Sequence, residues 1–327
     1  MSRADVFVHE NIAPLPGQFH ALAIREDVLY SDARGRPKNT LRKQAEKILP
    51  KLEPILGKLL QPGESIFYVA RMNTPISVAE QLTAGWFLHR SVVVVMVFTN
   101  ERVICLPVTY AGAPKGSARV IAYPALAAAK VGGVLSKVLE LRYGTGKKDR
   151  FWRLKRRDAK KIAVLLRVFT AQNTGATVSA GLVSLCPECL QALTPQVYQC
   201  AGCGLVFKDE RTMRKRALLI PGGGYFYSGA TGMGVLAVIA EVYLVAELLF
   251  LTLAFFGAFA LPAEKRSEAL IGVGIVMIFF LAALGFEKLV QINHCKRFIR
   301  DFISTGEKKP ILVATGAAAG ATASGMR

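Results

Sequence analysis

Two long apolar runs near the carboxyl end constrain the fold of this 327-residue chain more than any other feature. The first extends about 30 residues from Ala230 to Ala260, and the second is an uncharged run of 18 residues from Ala269 to Phe286. A helix needs about 20 apolar residues to cross a bilayer. The sequence therefore predicts a C-terminal α-helical transmembrane hairpin within residues 211–290, with spans at about 235–260 and 269–286.

The charges beside these runs predict their orientation. The loop 261–268 has two bases and two acids, whereas the segment before the first run is basic at Arg211, Arg214, Lys215 and Arg216. The positive-inside rule then places both termini in the cytosol. The first 20 residues contain no apolar core of signal-peptide length, which agrees with that orientation. We expect a multi-pass protein of a bacterial-type inner (plasma) membrane.

The rest of the chain is polar and strongly basic. The whole chain is 52% apolar with a formal charge of +19, and its mean hydropathy is +0.34. Residues 1–216 hold 33 bases against 16 acids, so the soluble part carries the excess. Such a field attracts nucleic acid, anionic lipid or acidic proteins. Composition divides this part into an irregular arm (1–39), a domain with a leading helix (40–171) and a charge-free linker (172–185).

Residues 61–156 alternate between strand-like runs and turn residues, and a basic helix follows them. The order is a PGE turn, a hairpin with the sequence VFTNERVICL, then IAYPAL and LELRYGTG. Over about residues 55–171 this order resembles the bacterial pleckstrin-homology-like or GRAM-like domain family. The resemblance implies a mostly antiparallel, barrel-like β domain that a C-terminal helix closes.

Four cysteines form two CxxC pairs that are separated by ten residues. In a reducing cytosol such a quartet points to a metal rather than to disulfides. The segment 186–207 resembles a zinc ribbon, with Leu190 where that family often has glycine, and one structural Zn²⁺ suits four thiolates. A redox pair lacks its usual βαβ context, and cysteine ligands alone do not exclude iron. The predicted ligands are Cys186, Cys189, Cys200 and Cys203.

A glycine-rich motif, PGGGYFYSG, precedes the first apolar run. It resembles the PGxGxFYxG turn of small bacterial two-helix membrane proteins over about residues 213–290, and it predicts an interfacial turn at 217–229. Plain anchoring and a specific partner site are both compatible with it. Its residues are Pro221, Gly222, Gly224, Phe226, Tyr227 and Gly229.

Two carboxylates fall within the first apolar run. A charge in hydrocarbon is costly and therefore a functional candidate. If the span begins near Val242, Glu241 lies at the interface and Glu247 is the immersed acid. Two helices hold too few polar residues for an ion pathway, so pairing within a homo-oligomer is the favoured role.

Residues 141–161 hold ten bases and two acids, together with the aromatic residues Tyr143, Phe151 and Trp152. They suit an anionic membrane surface, a nucleic-acid backbone or simply a solvated face. We rank lipid above nucleic acid because the predicted tether holds the domain beside a membrane. The predicted surface comprises Lys147, Lys148, Arg150, Trp152, Arg153, Lys155, Arg156 and Arg157.

No catalytic motif is present in the sequence: there is no HExxH, no GxSxG and no dinucleotide fingerprint. We therefore expect a non-enzymatic, membrane-anchored binding or scaffold protein that docks on anionic lipid or a protein partner. A metal- or redox-responsive sensor and a membrane-tethered nucleic-acid binder are the alternatives. The tail (291–327) is expected to be cytosolic, with a disordered alanine- and glycine-rich end.

Overall fold

A computed structural model describes residues 22–74, 76, 91–134, 136–172 and 181–310. Most of the predicted arm, the middle of the linker and the end of the tail lie outside these ranges. The strands are β1 (Ile66–Asn73), β2 (Val93–Thr99), β3 (Arg102–Pro107), β4 (Ala118–Ala122), β5 (Leu126–Gly132), β6 (Lys137–Tyr143), β7 (Lys148–Leu154), β8 (Val183–Leu185), β9 (Leu205–Phe207) and β10 (Ser304–Lys308).

The helices divide between the β domain and the carboxyl-terminal half. They are α1 (Glu26–Leu29), α2 (Asn39–Leu59), α3 (Arg156–Gln172), α4 (Glu210–Leu219), α5 (Gly223–Ser228), α6 (Thr231–Gly257) and α7 (Ala263–Ile299). By length and composition, α6 with its following turn and α7 are able to cross a membrane. Their large apolar side chains are exposed, which a lipid environment would cover.

The described strands β1–β8 form one antiparallel sheet in the order β5-β6-β7-β1-β2-β3-β4-β8. The large antiparallel sheet is therefore confirmed, but the described part of it is open, so the expectation of a barrel-like closure is wrong. The edge of β4 that does not face β3 pairs with β8, with Ala118 opposite Leu185. To close a barrel, β5 would have to pair with this same edge. On the other side, one residue pair, Asn73 with Trp152, joins β1 to β7.

The core of the β domain lies around the three central strands. Every residue of β2 is buried, and β1 and β3 are buried except for one residue each. Neighbouring residues of a strand point to opposite faces, so these strands are covered on both. The leucine face of α2 contributes Leu49, Leu52 and Leu56 to the core, and Phe169 of α3 contacts Phe67 with ring centroids 5.2 Å apart.

The carboxyl-terminal helix connects the apolar spans to the β domain. Helix α7 has 37 residues, which is about 55 Å of helix and nearly twice the thickness of a bilayer core. Its last turns are buried in protein at His294, Cys295 and Phe298. The chain then forms β10, which pairs antiparallel with β9. Residues predicted as tail and residues of the predicted ribbon thus form one small sheet.

Candidate functional site

The two CxxC segments fold into matching turns. The backbone N–H of Cys186 donates to the Gln191 carbonyl at 2.9 Å, and the N–H of Cys200 donates to the Leu205 carbonyl at 2.8 Å. In each turn the fifth residue, Leu190 or Gly204, returns a hydrogen bond of 3.0 Å to the cysteine carbonyl. Two copies of one turn therefore present their sulfurs to each other.

The four sulfur atoms surround a space suitable for one ion. The Sγ atoms of Cys186 and Cys203 are 3.6 Å apart, those of Cys189 and Cys200 are 3.4 Å apart, and all four lie within 4.8 Å of one another. Tetrahedral coordination at a Zn–S distance of about 2.3 Å requires sulfurs about 3.8 Å apart. The quartet can hold a metal ion, and this geometry fits a single four-coordinate ion.

The four thiols have different electrostatic environments: burial raises the pKa of the Cys186 and Cys189 thiols, whereas the pKa of Cys200 is lowered. Burial alone would raise the pKa of the Cys200 thiol, but backbone N–H groups of Cys203 and Gly202 point at its sulfur and lower that pKa to about 7. A Cβ atom on Gly202 would lie 1.9 Å from Oε1 of Gln191, so a side chain there would require the glutamine to move. The backbone N–H groups of the second turn favour the thiolate form of Cys200.

Leu190 occupies a left-handed backbone conformation with φ of 60°. This is the conformation that Gly204 adopts in the second turn, with φ of 72°. A side chain in that region costs about 1–2 kcal/mol. The leucine at the position where ribbons often have glycine has a packing reason, because Leu190 contacts the core of the β domain.

The four-cysteine centre lies between the β domain and the end of α7. On one side, β8 enters the large sheet immediately before Cys186. On the other, Phe302, just after α7, packs edge-on against Phe207 with centroids 5.4 Å apart. Sequence reasoning missed this second support, because five residues with no apolar pattern, Ser304–Lys308, form the strand that completes it.

The glycine turn is packed too closely for side chains. A Cβ atom on Gly222 would lie 2.4 Å from the Gly234 carbonyl oxygen, and one on Gly224 would lie 2.9 Å from Cβ of Ala217. Gly229, with φ of 81°, ends α5 in the left-handed region. Phe226 is partly exposed, and the Tyr227 hydroxyl accepts a 3.1 Å hydrogen bond from the Asp209 N–H. The turn therefore fixes α4 against α6.

A buried ion pair secures this turn. The Glu241 side chain accepts a 3.0 Å hydrogen bond from the Gly222 N–H and pairs with Lys288 of α7. The ammonium of Lys288 also donates to the Ala217 carbonyl at 2.8 Å. Glu241 is only 2% exposed, whereas Glu247, the predicted immersed acid, is half-buried and has no ion-pair partner among the described residues. No local pattern identifies Lys288 as the ion-pair partner of Glu241, because the two residues lie 47 positions apart in the chain.

The predicted basic surface is exposed along β7, its preceding turn and the start of α3. Its members do not act as one patch. Arg150 forms a 2.7 Å ion pair with Glu140, while Arg153, Lys155 and Arg157 line a cavity beside α2. Lysines of α2 join them there. The signal that could have identified those lysines is the four-residue spacing of Lys43, Lys47 and Lys51, opposite the leucine face.

The basic juxtamembrane residues lie on α4. Asp209 caps the helix by accepting a 2.7 Å hydrogen bond from the Thr212 N–H. Arg211, Arg214, Lys215 and Arg216 are exposed, and the apolar residues that follow, 218–220, are exposed as well. A basic segment that ends in exposed apolar side chains is typical of a helix at a membrane surface.

No protein-family model, curated protein or solved structure matches this chain. The candidate sites are therefore defined by the side chains themselves. They are the four-cysteine centre, the glycine turn with its buried ion pair, and the basic surfaces of the β domain and α4.

Proposed function

We propose that this protein is a non-enzymatic, membrane-anchored binding or scaffold protein whose basic β domain docks on anionic lipid. Its two apolar helices would cross a bacterial-type inner membrane with both termini in the cytosol. The bilayer is then its first partner. A protein partner and a homo-oligomer are compatible with this arrangement, and nucleic acid ranks below lipid.

The attachment of the β domain to the end of α7 carries this proposal. The Ser117 N–H donates to the Asp301 carbonyl at 2.7 Å, and Arg119 approaches the Asp301 carboxylate at 3.5 Å. The Arg297 guanidinium donates to the Thr74 hydroxyl at 3.0 Å, so β1 is joined to α7 as well. These contacts would hold a strongly basic domain next to the headgroups, where each base near the surface contributes about 1 kcal/mol.

The pleckstrin-like or GRAM-like identity of the domain remains part of the proposal. One supporting feature is the run of seven antiparallel strands, β1–β7, along the chain. The second is α3, which follows these strands and contacts Phe67 and Tyr123 through Phe169. The open edge at β4 departs from that identity.

We assign one structural zinc to the four-cysteine centre. Four thiolates in a tetrahedron suit Zn²⁺, and so short a segment needs a metal to fold. The ion would join the β domain to the end of α7, because the first CxxC turn directly follows β8 of the large sheet and the second directly precedes β9, which pairs with β10. Cys186, Cys189, Cys200 and Cys203 would hold it.

Fluorescence of Trp152 tests the docking. The chain has two tryptophans, so a Trp86→Phe variant leaves Trp152 as the single reporter, and its side chain is 40% exposed. The full chain would be placed in nanodiscs that contain brominated lipid, with or without phosphatidylglycerol. We expect stronger quenching in the anionic discs, and we expect the increase to fall as salt is raised.

A charge variant tests the role of the bases. Lys147→Gln/Lys148→Gln removes two exposed bases at and just before the start of β7, the strand that carries Trp152, and should reduce the anion-dependent quenching. Equal quenching in neutral and anionic discs would contradict lipid docking. If salt-dependent DNA binding appeared in its place, the nucleic-acid alternative would be favoured.

A metal- or redox-responsive sensor is the second candidate. The position of the centre favours it, because any change at the sulfurs would reach both β8 and β10. The sensor requires a labile site, so zinc should leave under mild chelator or peroxide, and hydrogen exchange should then increase in β10. Retention of the metal under both treatments would argue for a purely structural centre.

A further inference from the structure

A basic cavity lies between helix α2 and the outer face of the central strands. It has a volume of about 550 Å³, which is within the size range of small-molecule sites. Helix α2 forms one wall, the loop after β3 forms a second, and the end of β7 forms the third. We call this cavity the α2 groove.

The charges that line the α2 groove all have one sign. No acidic side chain occurs among the described residues that line it. A cavity of this volume is about 8 Å across, comparable to the Debye length of about 8 Å at physiological salt, so these charges repel one another. An anion within the groove would relieve that repulsion. The seven bases are Lys43, Lys47, Lys51, Arg71, Arg153, Lys155 and Arg157.

The walls of the groove are fixed by contacts that keep the cations in place. The Lys51 ammonium donates to the Ala111 carbonyl at 2.5 Å, which joins α2 to the loop after β3. The Arg71 guanidinium donates to the Tyr110 carbonyl at 2.8 Å and lies 4.9 Å from the centre of that ring. On the opposite wall, the Gln44 side-chain oxygen accepts a 2.5 Å hydrogen bond from Arg157.

Arg153 extends into the groove from a left-handed backbone conformation with φ of 59°. This region disfavours residues other than glycine, and such conformations often occur at functional positions. The floor is apolar and comes from Val93, Val95 and Val108. Most of the bases are solvent-exposed, so an anion could reach them from solution.

We propose that the α2 groove binds a ligand that carries at least two phosphate groups. Arginine recognises phosphate with two parallel N–H donors, and lysine supplies point charges. Arg157 is already paired with Asp158 at 3.2 Å, and the other six cations still exceed the charge of a single phosphate, so a diphosphate or a molecule with two phosphates fits best. The groove shares Arg153, Lys155 and Arg157 with the lipid-docking surface proposed above, but its α2 lysines lie outside that surface, so the two can be tested with different variants.

Calorimetry with inorganic pyrophosphate as the probe tests the site. The full chain would be held in neutral phosphatidylcholine nanodiscs at 0.15 M salt, where no anionic lipid competes. We expect saturable binding of one pyrophosphate per chain. In Lys43→Gln/Lys47→Gln/Lys51→Gln, whose substitutions lie on the exposed face of α2, we expect the Kd to increase at least tenfold.

The matched control removes the same charge elsewhere. Lys130→Gln/Lys265→Gln/Lys309→Gln changes three exposed lysines outside the groove and outside both basic surfaces, and it should alter the Kd less than twofold. Circular dichroism would check that both variants keep the wild-type thermal midpoint. If the α2 variant does not fold, Arg153→Gln replaces it and should also increase the Kd. Absence of saturable binding, or an equal loss in both triple variants, would overturn the proposal.

A competition arm identifies the source of the phosphates. Pyrophosphate binding would be repeated in discs that contain phosphatidylinositol bisphosphate. A weaker apparent affinity there supports a lipid headgroup as the occupant, because the headgroup and pyrophosphate would compete for the groove. An unchanged affinity supports a soluble phosphorylated molecule. The docking proposal can fail in the Trp152 experiment without affecting either result.

Discussion

The β domain and the junction beside the two apolar helices are stabilised by different interactions. In the β domain, apolar side chains from α2, α3 and the central strands form one continuous core. The junction has two small apolar clusters and depends on four thiols, a buried ion pair and glycines without room for a side chain. A large core tolerates the loss of one contact, whereas a junction built from a few polar contacts should fail when one is removed.

The largest expected effect is removal of the metal. Cys186→Ser/Cys200→Ser should abolish metal binding and release β9 and β10, because structural zinc contributes roughly 10–16 kcal/mol to folding in small zinc domains. Elemental analysis and hydrogen exchange would measure both effects, with β2 and β3 remaining protected. The control is Cys105→Ala, a buried cysteine of β3 that should leave the metal content unchanged. Simultaneous loosening of β2 would contradict the separation of the two regions.

The buried ion pair gives the second effect. Glu241→Gln removes the carboxylate that pairs with Lys288. Glu287 interacts with both residues and supplies part of the lost counter-charge, so the cost should lie at the lower end of the about 3–5 kcal/mol for a broken buried pair. The thermal midpoint in detergent, followed by circular dichroism, should fall accordingly. Glu247→Gln is the matched control and should change stability by less than about 0.5 kcal/mol. The double variant Glu241→Gln/Lys288→Met should recover part of the loss, and equal effects of the two glutamate variants would refute the assignment.

The difference between the β domain and the junction also decides how much of each the sequence could predict. The strand-like runs and turns of residues 61–156, the two long apolar runs and the paired CxxC motifs are local patterns, and each predicted its elements or its site. The partnership of Glu241 with Lys288 and that of β9 with β10 connect residues far apart in the chain. Their individual sequences are ordinary, so only the fold reveals them.

The open sheet has a similar cause. Local strand signals predict β1–β7 but not which edge pairs with which. The short segment Val183–Leu185 has no strong strand pattern, yet it occupies the edge of β4. The α2 lysines were missed for a related reason, because their approach to the end of β7 depends on how α2 packs.

A core substitution in the β domain should have a large effect that stays local. Leu52 is fully buried, and truncation of such a leucine costs about 2–5 kcal/mol. In the Trp86→Phe background, Leu52→Ala should lower the urea midpoint that Trp152 reports, with the metal content unchanged. Leu218→Ala, at an exposed leucine of α4, should leave that midpoint within experimental error. Loss of metal in Leu52→Ala would show that the two regions unfold together.

The smallest expected effect is a pH dependence confined to the β domain. Lys161 is buried and donates to the carbonyls of Val28 and Ser31, which attaches the segment around α1 to α3. Burial lowers its pKa from 10.5 to about 7, although Asp32, Asp27 and Asp158 oppose the shift. Between pH 7 and 10.5 the unfolded chain therefore binds more protons at this lysine than the folded chain, and stability rises with pH in that window.

The rise should be about 2 kcal/mol between pH 7 and pH 9. The neutral amine keeps two N–H donors, so both carbonyl contacts survive deprotonation. Urea midpoints reported by Trp152 should therefore increase from pH 7 to pH 9 in the wild-type sequence. In Lys161→Met that increase should be absent, since methionine has no proton to lose, and the difference between the two curves removes every other titrating group. Parallel curves would mean that Lys161 is charged in the folded protein, and that its carbonyl contacts offset the burial of an ammonium ion.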